Sequence, residues 1–136
     1  MCNAFKDELS KGGHNLDADK LKIALFSSSA TLSPTSTTAY STTNEITGTG
    51  YTAGGKTLVL ASGYPTQDAT TGSKLYRYDS AVWTSASFTA RGALIYNASK
   101  SNKAIAILDF GADRTVVLNT FTISFPASSA PIIYIA

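Results

Sequence analysis

The sequence predicts an all-β fold, a single-domain β-sandwich of jelly-roll character with one short N-terminal helix. Three observations point there. Ser and Thr together fill 35 of 136 positions, a composition that suits strands and the turns between them. Strong helix formers are scarce after residue 25. Short segments rich in β-branched and aromatic residues recur at close spacing, separated by Gly, Asn, Asp and Ser, with no helical period between them. A chain of 136 residues is long enough for one independent hydrophobic core. No internal repeat or composition shift divides it.

The single helix is expected over residues 3–11. Asn3 is placed to cap it, Phe5 and Leu9 lie four apart on one face, and Gly12-Gly13 stop it. Two turns of helix are marginal alone in water, so the segment must dock on its own domain or on a partner. The first strand is expected at 21–26, with Leu21, Ile23 and Leu25 on one face. Residues 27–49 are mostly Ser, Thr, Ala and Pro and read as a long surface loop with one helical turn near 38–43. Eight further strands are expected at 57–60, 74–78, 81–84, 88–96, 103–110, 114–118, 121–125 and 132–135. Phe88, Ala90, Gly92, Leu94 and Tyr96 share one face, as do Phe121, Ile123 and Phe125; two such faces opposed would fill a core.

Charge excludes some functions. Only 15% of the residues are charged and the formal net charge is +2, with no basic cluster, so neither nucleic acid nor a membrane surface is an expected partner. The lone Cys2 permits no intrachain disulfide. Residues 1–15 hold Lys6, Asp7, Glu8 and Lys11 and no apolar stretch of signal-peptide type, which places synthesis and folding in a cytoplasm. Asn97-Ala98-Ser99 matches a glycosylation acceptor, a chance match under that reading.

The segment from Gly50 to Thr57, GYTAGGKT, fits the phosphate-loop pattern G-x-x-x-x-G-K-[ST]. A working phosphate loop leaves a buried strand and opens a helix whose amides face the phosphates. Here 57–63 is short, β-prone and closed by Gly63-Tyr64-Pro65, so a glycine-rich turn is expected and Lys56 becomes the first exposed residue of a strand. His14, the only histidine, is expected to cap the helix end or pack in the turn rather than act as a base, and Asp17 and Asp19 beside it to sit in a solvated turn. Asp109 and Asp113 are expected to accept backbone amides in a turn around Gly111. Arg91 falls on the face opposite Phe88 and Leu94, exposed or ion-paired and available to a partner. No catalytic residue, cofactor site or metal site is expected. The tyrosines and Trp83 are read as core or rim packing, the alternative being a carbohydrate platform.

Several stretches together resemble a family of small virion proteins of tailed bacteriophages. They are residues 5–9, Gly13-His14-Asn15-Leu16, Lys22-Ile23-Ala24-Leu25, Gly50-Tyr51-Thr52-Ala53-Gly54-Gly55, Ala90-Arg91-Gly92-Ala93-Leu94-Ile95-Tyr96 and Leu108-Asp109-Phe110-Gly111. The Gly-Tyr-Thr-Ala-Gly-Gly segment is the most specific. The resemblance is to head decoration, or cement, proteins, and implies a non-enzymatic β-sandwich or jelly roll that forms a small homo-oligomer, a dimer or trimer. It implies binding to the major capsid protein on the exterior of the phage head after synthesis in the host bacterial cytoplasm. Candidate partner contacts are Phe5 and Leu9 on the helix, Arg91, and Ile133 and Tyr134 in the apolar C-terminal tail, which reads equally as an ordinary central strand. The alternative is a tail or head-fibre module that binds a host-surface glycan through Tyr and Trp.

Overall fold

The computed structural model describes residues 1–125 and 133–135. Helix α1 spans Asn3–Ser10, and the strands are β1 Leu21–Phe26, β2 Lys56–Thr57, β3 Thr66–Gln67, β4 Lys74–Tyr76, β5 Ala81–Asn97, β6 Lys103–Ile123 and β7 Ile133–Ile135. The protein is mostly strand, arranged in antiparallel sheets, with one short helix. A four-stranded sheet runs β2-β1-β5-β6 and a three-stranded sheet runs β3-β4-β7. Buried side chains from α1, both sheets and the connecting loops join in one apolar cluster, from Phe5 through Ile23, Leu25, Trp83, Leu94 and Ile105 to Ile133.

Strands β5 and β6 form a hairpin that dominates the molecule. Seventeen residues of β5, at about 3.3 Å each, make a ribbon roughly 55 Å long. The segments expected at 81–84 and 88–96 are one strand, and those expected at 103–110, 114–118 and 121–125 are one strand ending at Ile123. Polar and glycine residues that looked like turns are instead absorbed as register shifts at Trp83/Ala86, Ala86/Phe88 and Ala90/Gly92. Ser85 (φ 48°), Leu118 (φ 46°) and Gly111 (φ 75°) carry the left-handed backbone that such bulges require. Between Asp109 and Arg114 four residues of β6 bulge out opposite Arg91 alone.

Other differences are local. The helix is capped by Cys2, with no side-chain hydrogen bond. Asn3 spends its backbone N–H on the Pro34 carbonyl at 2.8 Å, and Cys2 donates to the Ile105 carbonyl at 2.7 Å, so the N-terminus is fastened by backbone. The loop after β1 holds no helix at 38–43; it is laid along the sheet by bridges from Ala39 to Lys103 and from Glu45 to Phe26. The segment expected at 57–60 pairs with β1 only at 56–57, and Leu60 bridges to Tyr78. β3 has too few residues to show a strand pattern in the sequence.

Candidate functional site

The phosphate-loop-like segment folds around a carboxylate of its own chain. Glu45 Oε1 accepts hydrogen bonds from Tyr51 OH at 2.6 Å and from the Gly54 backbone N–H at 2.7 Å, and Oε2 accepts from Tyr40 OH at 2.7 Å. Tyr51 OH also accepts the Leu25 N–H at 2.9 Å, and Tyr96 OH donates to the Gly54 carbonyl at 2.7 Å. Burial first, and then the hydrogen bond to Glu45, push the Tyr40 and Tyr51 hydroxyls far above the ordinary tyrosine range, so both remain donors. An amide that would face a phosphate is therefore occupied by Glu45. Gly55 (φ 72°) lies so close to β1 that a Cβ there would stand 1.8 Å from the Ile23 carbonyl oxygen. Lys56 follows in β2 with its Nζ 5.9 Å from the Trp83 ring centroid. The turn expected at Gly50 to Thr57 is present, and the expectation that the segment opens no helix holds.

A second polar cluster fixes the N-terminal segment. The His14 side chain is fully buried, with Nε2 3.1 Å from Glu8 Oε2 and Nδ1 3.0 Å from Asn97 Nδ2. Because the Asn97 amide nitrogen only donates, Nδ1 accepts and Nε2–H donates to Glu8. Asn97 Nδ2 also donates to Asp19 Oδ2 at 2.7 Å, which takes the Asn15 N–H at 2.7 Å as well. Lys103 reaches Glu8 Oε1 at 2.9 Å. Burial alone would raise the Glu8 and Asp19 carboxyls; hydrogen bonds from Lys103 and His14, and from Asn15 and Asn97, hold both below the ordinary range. Asp17 accepts from Tyr76 OH at 2.9 Å. The expected solvated turn at Asp17 and Asp19 is thus corrected: these side chains tie the turn to β4 and β5. Among the described residues no group of three His, Cys, Asp or Glu side chains is placed to hold a metal ion.

The expected partner contacts separate. Phe5 is fully buried with its ring centroid 4.9 Å from that of His14, so it docks on its own chain and offers nothing to a partner. Leu9 is partly buried against the same core. Ile133 is likewise fully buried, because β7 pairs with β4 inside the second sheet. Tyr134 is in that strand opposite Leu75, and its side chain lies outside the described residues. Arg91 is half-exposed, with Nε 3.4 Å from Asp109 Oδ1, which also accepts the Gly111 N–H at 2.8 Å. It lines a cleft of about 320 Å³ with Phe26, Leu32, Ile107 and Leu108. A carbohydrate platform loses its main candidate, since Trp83 is 1% exposed and Tyr76, Tyr78 and Tyr96 are buried.

The most exposed apolar surface is one that sequence reasoning passed over. Val117 and Leu118 are 69% and 81% exposed in the far half of β6, which among the described residues pairs with β5 alone. Leu118 also holds a left-handed backbone, its N–H bound to Ser87 Oγ at 2.9 Å. In the same half of the hairpin Phe110, Arg114, Phe121, Thr122 and Ile123 line a cleft of about 400 Å³. Phe121 in turn packs on Trp83 and Phe88, with ring centroids 5.9 and 5.1 Å away. The sequence signal was the run 115–123, TVVLNTFTI, which carries no charge. Glu45 was missed too, although it is the only carboxylate between Asp19 and Asp68. No family model, no curated protein and no solved structure matches the chain.

Proposed function

We propose that this chain is a structural, non-enzymatic virion protein of a tailed bacteriophage, a decoration or cement protein that binds the major capsid protein on the outside of the head. It is made in the host bacterial cytoplasm and acts as a small homo-oligomer, a dimer or trimer. The observation that carries the proposal is the far half of the β5–β6 hairpin, an edge bare among the described residues, with two exposed apolar residues on a ribbon whose other end is packed into the core. An exposed edge strand with apolar side chains is a surface for pairing with another chain. Two sheets sharing one core suit a β-sandwich, and a jelly-roll path is the proposed form.

The Glu45-filled loop favours this reading over nucleotide hydrolysis, because the Gly54 amide is already committed. Clamping by many modest contacts adds up across an oligomer without any strong single one. Cosedimentation of the purified protein with empty capsids tests the proposal. A fixed, high ratio to the major capsid protein supports it, and failure to sediment with capsids at saturating protein rejects it.

A further inference from the structure

We propose that the loop from Tyr40 to Gly54 is a carboxylate-binding site, filled in this chain by the Glu45 side chain and open to a free monocarboxylate of acetate size when that side chain is cut back. The site holds whether or not the chain binds capsids.

The groups that meet the Glu45 carboxylate are donors. Oε1 takes the Tyr51 hydroxyl and the Gly54 N–H, and Oε2 takes the Tyr40 hydroxyl. The Tyr51 oxygen already accepts the Leu25 N–H, so its proton is left to point at an acceptor. Three donors divided two and one over a pair of oxygens match a carboxylate, whereas an ammonium group in that place would meet donors. Lys22 adds positive charge beside the loop, its Nζ 3.2 Å from where a Cβ on Gly54 would stand.

The donors are held by contacts that do not involve Glu45. The Leu25 N–H of β1 pins the Tyr51 hydroxyl. Tyr96 OH donates to the Gly54 carbonyl at 2.7 Å, and the Gly55 N–H closes the turn on the Thr52 carbonyl at 3.0 Å. Tyr40 stacks on Tyr96 with ring centroids 4.5 Å apart, and its backbone N–H donates to the Asn102 carbonyl at 2.8 Å. The backbone at residue 45 is fixed as well, by its bridge to Phe26 and by the Ile46 N–H, which donates to the Leu25 carbonyl at 3.1 Å. Loss of the carboxylate therefore leaves a preformed socket rather than a slack loop. Glu45→Ala takes away one methylene and one carboxyl group, the heavy atoms of acetate, and Glu45 is only half-buried, so acetate has a way in. The glycine-rich motif thus has a use: its Gly54 amide binds an anion, and the anion is a carboxylate nine residues upstream.

The test is thermal unfolding of the full chain in sodium acetate against sodium chloride at equal ionic strength, for the wild type, Glu45→Ala and Glu45→Gln. Emission from Trp83, the only tryptophan and 6.3 Å from Tyr51 between ring centroids, reports on the loop itself. Glu45→Ala is expected to be destabilised in chloride and to recover saturably in acetate. Its unfolding constant should fall about tenfold at ten times the half-saturating acetate concentration, and Trp83 emission should return to that of the wild type. Glu45→Gln keeps the socket full and should respond to acetate no more than the wild type does. If Glu45→Ala does not fold in chloride, refolding in acetate replaces the melt: recovery there supports the site, and no recovery overturns it. Acetate that acts on Glu45→Ala no better than chloride, acetate that shifts all three proteins alike, or a Glu45→Ala variant as stable as the wild type also overturns it.

Discussion

The two halves of the β5–β6 hairpin are built from similar residues and treated oppositely by the fold. Near the connecting turn, Gly92–Asn97 has β1 on one side and β6 on the other. Ala93, Leu94, Ile95 and Tyr96 are all buried, as are Ala104, Ile105 and Ala106. The outer edge of β6 is covered there by the Cys2 N–H, by Ala39 and by Thr38, whose carbonyl accepts the Ala104 N–H at 2.9 Å. In the far half the register breaks three times, β1 has ended, and β6 has no outer neighbour among the described residues. The near half is buried on both faces, whereas the far half buries Trp83, Ala86 and Phe88 and leaves Val117 and Leu118 exposed. The difference comes from cover rather than composition: Ile95 and Leu118 differ less in chemistry than in whether a strand, a helix and a loop reach them.

Substitutions at the two ends should separate these roles. The largest effect is expected from Gly55→Ala, where the new methyl meets the Ile23 carbonyl at 1.8 Å. Prising β2 from β1 should cost about 3 kcal/mol or more, read by denaturant unfolding. Ile95→Ala, in the covered half, should cost about 2–5 kcal/mol in the same assay. Glu45→Ala removes the acceptor of three hydrogen bonds and should cost about 1.5–3 kcal/mol. If that variant melts with the wild type, the node does not hold the loop. Leu118→Gly, in the uncovered half, should stabilise the monomer by about 0.5–1 kcal/mol through relief of its left-handed backbone. A loss of stability there would mean that Leu118 supports the fold after all.

Acid should act on the covered half first. Glu8 and Asp19 are held below their ordinary carboxyl range in the folded protein. Groups depressed in this way contribute stability that is complete above the unfolded value, about 4, and is lost as pH falls through the lower folded values. Amide exchange protection of α1 should therefore fall below about pH 4. Unchanged protection there would show that the backbone bonds of Cys2 and Asn3 alone retain the helix.

Much of the architecture could be read from the residues. β1 and the helix follow from apolar spacing, and the reading of Gly50 to Thr57 as a turn followed from the strand-like residues after it. The division of the hairpin into five strands failed because Gly111, Asp113 and the Ser85 region look like turn chemistry. A bulge uses the same residues as a turn. A marginal helix and an apolar tail fit docking on a partner or packing on the chain's own core, and the residues alone do not choose; Phe5 and Ile133 each close the core of their own chain. Leu118 was illegible for the opposite reason. An aliphatic residue in a β-prone run predicts burial, and the bare outer edge of the far half of β6 among the described residues leaves it uncovered.

The turn at 98–102 also orders events in time. It joins β5 to β6 across five residues, so these strands can zip while little chain entropy is lost. Leu21 must find Asn97, and Lys74 must find Ile135, both far along the chain and therefore late. A hairpin formed before its flanks arrive has a bare, sticky edge. Asp113 and Arg114, exposed where the uncharged run begins, act as gatekeepers during that interval: they discourage wrong strands from stacking on the hairpin before its flanks arrive.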